Sequence, residues 1–204
     1  GREVTVFIQI IQGKCTRQDE LRALADTWRE EMAPTAEGWL GGTYGFTDDG
    51  EFVGVIRFES REAAMRNSER PEQGEWAKRM TALLDGPVEY HDCDDVTLMF
   101  DGGSDDAGFV QVIRGKVDDP ARLKSLMGDT DMLHEARPEI LGATLAIEAD
   151  GTFTETVAFT DEASARAGES KEMPDMPADV RETLETVMQG ATYYDLRHPW
   201  FASS

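Results

Sequence analysis

Hydrophobic and polar positions alternate through residues 4–12, where β-formers dominate, and this pattern predicts a strand. Leu21, Leu24, Ala25, Trp28 and Met32 then recur at helical spacing, so residues 18–33 predict an amphipathic helix. Gly38 to Phe46 predicts a second strand. Asp48-Asp49-Gly50 predicts a hairpin turn, and Glu51 to Phe58 a strand returning antiparallel. A short helix over residues 60–69 leads to a longer one over 75–84, which Gly86 is expected to end as a C′ residue. Val88 to Asp92 predicts the last strand. The order is βαββαβ.

The same order then repeats. FIQIIQGK at residues 7–14 returns as FVQVIRGK at 109–116, with five of eight positions identical and Ile exchanged for Val. Leu21 and Leu24 match Leu123 and Leu126. Leu40-Gly41 matches Leu141-Gly142, and DGEFVGVIRFES from Asp49 matches DGTFTETVAFTD from Asp150. Near the end Trp76, Met80, Leu83 and Leu84 fall on Val180, Leu184, Val187 and Met188, and Gly86 on Gly190. The offset drifts only between 101 and 104, as loops absorb small insertions. The expected organisation is a first repeat over 1–100, a Gly/Asp/Ser connector over 101–108, and a second repeat with a C-terminal tail over 109–204. The bulky HPWF segment, His198 to Phe201, is expected to pack back onto the body.

A βαββαβ unit covers one sheet face with its helices. In the first strand Ile8 and Ile10 alternate with Phe7, Gln9 and Ile11, so both faces are largely apolar and the second face needs cover too. Packing sheet on sheet supplies it. The fold class expected is therefore α+β, with two ferredoxin-like repeats packed sheet-on-sheet within one chain.

Composition narrows the function. The chain has 204 residues, with 20 basic and 41 acidic side chains and a net charge of −21. That balance repels nucleic acid phosphates and anionic membrane surfaces, so neither is expected as a partner. No apolar stretch approaches the roughly 18 residues that cross a bilayer, and no leader opens the sequence, so a cytoplasmic location is expected. Cys15 and Cys93 have no CxxC neighbour, and His91 beside Cys93 brings no second ligand pair, so no metal site is expected. HExxH, GxGxxG, phosphate-loop and nucleophile-elbow motifs are absent.

Candidate chemistry rests on polar residues in apolar strands. Gln9 and Gln111 hold the same place in both copies, where a buried amide needs a partner or a ligand. Arg57, flanked by apolar neighbours, could hold an anion, or simply form an ion pair. Glu155 could act as a base of raised pKa if buried, or stand in water at an edge. His91, aligned with Asp195 and beside Tyr90, is the candidate acid–base group, although a lone His is more often structural. His134 aligns with the core position of Met32. Met173, Met176 and Met188 with Pro174 and Pro177 form a soft segment that could lid a cavity or fill its own gap. Aromatics are lopsided: Trp28, Trp39, Tyr44 and Trp76 oppose Thr130, Ile140, Leu145 and Val180. A single pocket is therefore expected first in the aromatic-rich copy, with Gln9, Arg57 and His91 converging in it.

The run GWLGGTYGFTDDGEFVGVIRFESREAAMRNS resembles the dimeric α/β-barrel superfamily that includes antibiotic-biosynthesis-type monooxygenases and haem-degrading proteins. The carriers are a Gly-aromatic-Leu-Gly opening, an acidic-Gly hairpin, and a strand running into Glu-Ser-Arg-Glu-Ala. The resemblance covers nearly all of each half and implies an intramolecular α/β barrel. Oxidative members often carry Trp at the end of the third strand and His nine residues later. Here those positions are Phe58 and Asn67 in one copy, Phe159 and Gly168 in the other. An amide cannot ligate haem iron as imidazole does, so no cofactor is expected, and Asn67 becomes a candidate ligand contact. The function expected is binding of a small apolar or aromatic molecule in a barrel cavity. The alternatives are cofactor-independent, monooxygenase-like oxidation of a phenol or quinone, and a non-catalytic structural or assembly role. A homodimer of whole chains is compatible with all three.

Overall fold

The computed structural model describes residues 6–100, 105–127, 137–170 and 176–204; His134, Met173 and Pro174 lie outside the described residues. The first part of the chain runs β1 (Phe7–Lys14), α1 (Gln18–Glu31), a 3-10 turn (Ala33–Thr35), β2 (Trp39–Phe46), β3 (Glu51–Phe58), α2 (Arg61–Glu69), α3 (Pro71–Leu83) and β4 (Glu89–Cys93). Then follow β5 (Asp95–Met99), β6 (Phe109–Lys116), α4 (Pro120–Met127), β7 (Ile140–Ile147), β8 (Thr152–Phe159), α5 (Glu162–Glu169), α6 (Ala178–Gln189), β9 (Thr192–Leu196) and β10 (Trp200–Ser203). No helix among the described residues is long and apolar enough to cross a membrane.

The strands form two antiparallel five-stranded sheets, ordered β10-β2-β3-β1-β4 and β5-β7-β8-β6-β9. One compact unit comprises the chain up to Asp94 together with Trp200–Ser204, and the other comprises Asp95–Pro199. Two short strands therefore join sheets far away in sequence. β5 follows the first repeat but pairs with β7, Val96 opposite Ala146. β10, within the HPWF tail, pairs with β2, Trp200 opposite Tyr44. Each caps an edge that a bare repeat would leave open for unwanted pairing.

Within the first unit, pairing fixes which side chains share a face. Phe7, Gln9 and Ile11 of β1 lie opposite Phe58, Ile56 and Gly54 of β3. These positions face the helices, where Phe7 and Phe58 pack with Trp28, Met32 and Ala63. The other parity of β1 is equally dry, with Ile8 at 1% and Ile10 at 0% exposure. In the second unit Phe109, Ile113, Phe153, Val157 and Phe159 form the corresponding core with Leu123 and Ala165.

Local chemistry sets the boundaries. Ser60 caps α2 by accepting from Ala63 N, and Asp161 caps α5 by accepting from Ser164 N. Pro71 opens α3 directly after α2, four residues earlier than its apolar spacing suggests. Gly86 does not cap α3: the helix ends where Leu84 turns extended, at φ −86° and ψ 150°.

The two β-hairpins use Gly50 and Gly151 in the left-handed region, at φ +86° and +87°. Their surroundings differ. A side chain at Gly50 would meet only Cys15 O, at 3.8 Å, whereas one at Gly151 would come within 2.6 Å of Val117 O. Gly50→Ala is therefore expected to cost about 1–2 kcal/mol from backbone strain alone. Gly151→Ala should cost clearly more, because a backbone carbonyl must also move. Paired denaturation midpoints test this, and equal losses would contradict it.

Candidate functional site

Each unit holds a pocket between its sheet and its helices, and the one in the second unit is the larger and the more open to solvent. In the first unit Gln9, Tyr44, Asn67, Gln73, Trp28 and Trp76 help to line a space of about 50 Å³. That is room for water, not for a drug-sized ligand. In the second unit Gln111, Glu155, Arg137, Arg166, Tyr193 and Asp195 help to line about 480 Å³, together with Val157, Phe159 and Met188. The lopsided aromatics explain the difference, in the opposite sense to the sequence expectation. They fill the first unit. Trp28 packs edge-on against Trp39 at 5.1 Å and Trp76 at 6.4 Å, and its Nε1 donates to Gln73 at 2.7 Å. The ligand-sized space lies in the copy that lacks these rings.

One cross-strand pair shows how the exchange works. Tyr44 stands opposite Gly54, and Leu145 stands opposite Glu155. A side chain at Gly54 would meet the Tyr44 ring at 3.2 Å. Where Leu145 replaces the tyrosine, the partner position carries a full carboxylate side chain. Glu155 is buried, at 8% exposure. Among the described residues its Oε2 has no hydrogen-bond partner. Burial pushes its carboxyl up to about 7. In the first unit burial pushes the Tyr44 phenol up to about 12, with the Arg57 charge pulling the other way.

The two strand glutamines do the same job in both copies. Gln9 Nε2 donates to Asp92 Oδ1 at 3.0 Å, and Gln111 Nε2 to Asp195 Oδ1 at 2.9 Å. Strand register makes Asp92 the counterpart of Asp195, since Gln9 lies opposite the former and Gln111 opposite the latter. The alignment of His91 with Asp195 is thus one residue out: His91 corresponds to Tyr194, and Tyr90 to Tyr193. In the second unit Asp195 Oδ2 also accepts from Arg166 Nη2, at 2.7 Å. Arg166 further meets Glu162 and Glu169, at 3.3 and 3.2 Å.

The expected convergence of Gln9, Arg57 and His91 does not occur. Gln9 pairs with Ile56 and Asp92 on the helix-facing side. Arg57 lies opposite Ile8 and His91 opposite Ile10, on the other side of the sheet. A one-residue step along a strand reverses the face, so the three cannot share a pocket. Arg57 reaches Thr43 Oγ1 at 3.5 Å and spreads over Gly41, where a side chain would stand 2.7 Å from its Nη2. Trp39 is buried behind Trp28, in the core of the first unit. Met176 and Pro177 lie just before α6, and Met188 lines the larger cavity.

The residues at the haem-histidine positions do not fit haem. Asn67 is buried and accepts from Arg70 Nη1 at 3.1 Å. Beside Gly168, the space for a side chain is taken by the Arg137–Glu139 ion pair, with Arg137 Nη2 2.6 Å from where a Cβ would stand. Neither position presents an imidazole to iron. Cys15 and Cys93 are buried and not joined in a disulfide, and burial pushes the Cys15 thiol up.

Among the solved structures that match this chain, three cover nearly all of it. A protein from Fusobacterium nucleatum, described provisionally as a monooxygenase, superposes with a TM-score of 0.76 at 10% identity over 100% of this chain and 96% of its own. A second such protein, from Lactobacillus acidophilus, gives 0.70 at 10% identity over 94% and 93%. An anthrone oxidase-like protein gives 0.60 at 11% identity over 100% and 95%. The chain has their fold. It is an α+β fold built from two similar repeats, as the sequence repeat implies. No family model matches the sequence, and no curated protein does. At such identities the likeness speaks to architecture, and the site must be argued from its own residues.

Of the residues lining the larger cavity, the sequence pattern singles out Gln111 and Glu155 but not Arg137, Arg166 or Tyr193. Asp195 was seen only as a partner of His91. A signal for it was present: Gln on the first strand and Asp on the last, in both copies, at offsets of 102 and 103.

Proposed function

We propose that the second unit binds a small aromatic molecule bearing an acidic hydroxyl, and that Glu155 accepts the hydroxyl proton. The observation that carries this reading is the buried Glu155 oxygen, without a hydrogen-bond partner among the described residues, in the wall of a 480 Å³ cavity. Ligand sites commonly enclose about 300–1,000 Å³, mostly apolar with a few oriented polar groups. Val157, Phe159 and Met188 supply the apolar part, and the Gln111–Asp195 pair an oriented polar edge. A carboxyl held near 7 exchanges protons efficiently at neutral pH.

Removing the proton makes the ring electron-rich, and such a phenolate can react with dioxygen without a cofactor. Overall, a phenol with a free para carbon and one O₂ would give a quinone and one water. One oxygen atom enters the product, the other leaves as water, and no external reductant is consumed. The monooxygenase and anthrone oxidase descriptions of the structural neighbours favour this enzymatic form of the reading. No haem or metal is needed for it. Association of whole chains into a homodimer is compatible with it.

Oxygen uptake with anthrone and simple naphthols as probes tests the proposal. Turnover in the parent protein and a loss of about 100-fold or more in Glu155→Gln are expected, the usual effect of deleting a positioned base. Saturable binding without oxygen uptake would leave the binding function and remove the oxidation. Absence of both would favour the structural role.

A further inference from the structure

Two arginines border the larger cavity, and they are not equivalent. Arg166 is surrounded by Asp195, Glu162 and Glu169. Three carboxylates already satisfy its charge. Among the described residues Arg137 faces one, with its Nε 3.0 Å from Glu139 Oε1, and its Nη2 donates to Ala165 O at 3.1 Å. A guanidinium has five N–H donors, so within the described residues donors remain on a planar fork suited to a carboxylate. The pair is largely out of water, with side chains 17% and 10% exposed. Gly168 makes this possible, because any side chain there would collide with both members. The fork is therefore held in place against the wall of the cavity.

We propose that Arg137 binds a carboxylate on the ligand, so that the cavity takes hydroxyaromatic acids: hydroxyl at Glu155, ring against Val157 and Phe159, carboxylate at Arg137. This rests on the reading of Glu155 given above and adds the class of molecule. The spacing supports it. Glu155 and Phe159 sit four residues apart on the same face of β8, roughly 13 Å between Cα atoms. The Arg137 guanidinium lies 5.7 Å from the centre of the Phe159 ring. Glu155, Phe159 and Arg137 line one cavity, so a single ligand can touch all three, and 3-hydroxybenzoate and 3-hydroxycinnamate, whose para carbons are free, offer a shorter and a longer hydroxyl-to-carboxylate span. The net charge of −21 opposes an approaching anion at long range, so recognition has to come from this short-range contact.

The test uses the full chain and four probes, the two acids and their methyl esters, titrated calorimetrically at about pH 6 in roughly 0.15 M salt, where long-range repulsion is screened. The better acid is expected to bind the parent protein about tenfold or more tightly than its ester, the usual scale of a charge-assisted contact. In the double variant Arg137→Met/Glu139→Gln, which removes the ion pair without stranding a charge, the ratio should fall to about one while ester affinity is retained. Arg137→Lys keeps the charge but loses the fork, and should fall between. Equal binding of acid and ester by the parent, or a ratio that survives the double variant, overturns the role of Arg137 and leaves the cavity reading standing. If neither acid nor ester binds, the cavity reading fails and this inference falls with it.

Discussion

At pH 8 the Glu155→Gln protein is expected to be more stable than the parent by roughly 3 kcal/mol, and at pH 4 the two should be level. The reason is a proton. In the folded protein burial holds the Glu155 carboxyl up at about 7, against an ordinary 4.5 in the unfolded chain. Between these values the folded state keeps a proton that the unfolded state has lost. Stability therefore falls as pH rises through that window, and it is flat again once both states are ionised. The gap from 4.5 to about 7, at about 1.4 kcal/mol per pH unit, gives the size of the effect. Glutamine has the same shape and never ionises, so it lacks this dependence. Urea titrations of both proteins from pH 4 to 8 make the comparison, and the contributions of the other acidic groups cancel in the difference. Parallel curves would mean that water or a cation reaches Glu155, and would remove the argument for a raised carboxyl.

The same proton links stability to function. Above about 7 the parent holds a buried charge with no partner for Oε2 among the described residues, which is the costly state for folding and the active state for a base. Turnover should accordingly rise through about pH 7. A ligand hydroxyl that shares its proton with Glu155 relieves the cost, so the parent should bind phenols with net proton exchange and Glu155→Gln without it.

The repeat was legible because side-chain size and polarity recur at each structural position: Phe7 and Phe109, Gln9 and Gln111, Phe58 and Phe159 hold matching places in their sheets. Hairpins were legible because Asp-Gly stands at both turns, where a left-handed residue calls for Gly. β5 was not. Its pairing partner β7 lies more than forty residues on, and nothing in Val96–Met99 alone separates a short edge strand from the start of a linker. The site was half legible. Glu155 stood out as a charge amid Phe153 and Val157, but the grouping of Gln9 with Arg57 and His91 ignored the strict alternation of a strand. Cavity size was misjudged for a different reason. Aromatic residues mark pockets when they line them and abolish pockets when they interlock, and only the cross-strand partners, Tyr44 over Gly54 against Leu145 beside Glu155, tell which has happened.

Trp200→Ala is expected to destabilise the first unit by roughly 3–5 kcal/mol, the range for deleting a buried aromatic. The residue lies four positions from the end of the chain, where truncation is usually harmless. Here the end is tied down. Trp200 is 8% exposed and stacks on Tyr44 at 5.7 Å, with Phe46 at 5.5 Å and Phe52 at 6.3 Å. Arg22 covers its outer face, 5.0 Å from the ring. The backbone beside it pairs with β2 from Tyr44 to Gly41, closing that edge of the sheet. Two losses are therefore separable. Trp200→Ala removes the ring and can keep the strand, whereas truncation after Pro199 removes both and should cost more. Trp200→Phe retains part of the stack and should cost less than either. Thermal melts of the three variants should rank in that order, with a transition assigned to the first unit moving while that of the second stays. A Trp200→Ala protein that melts within a degree of the parent would show that β10 contributes no packing to the first unit.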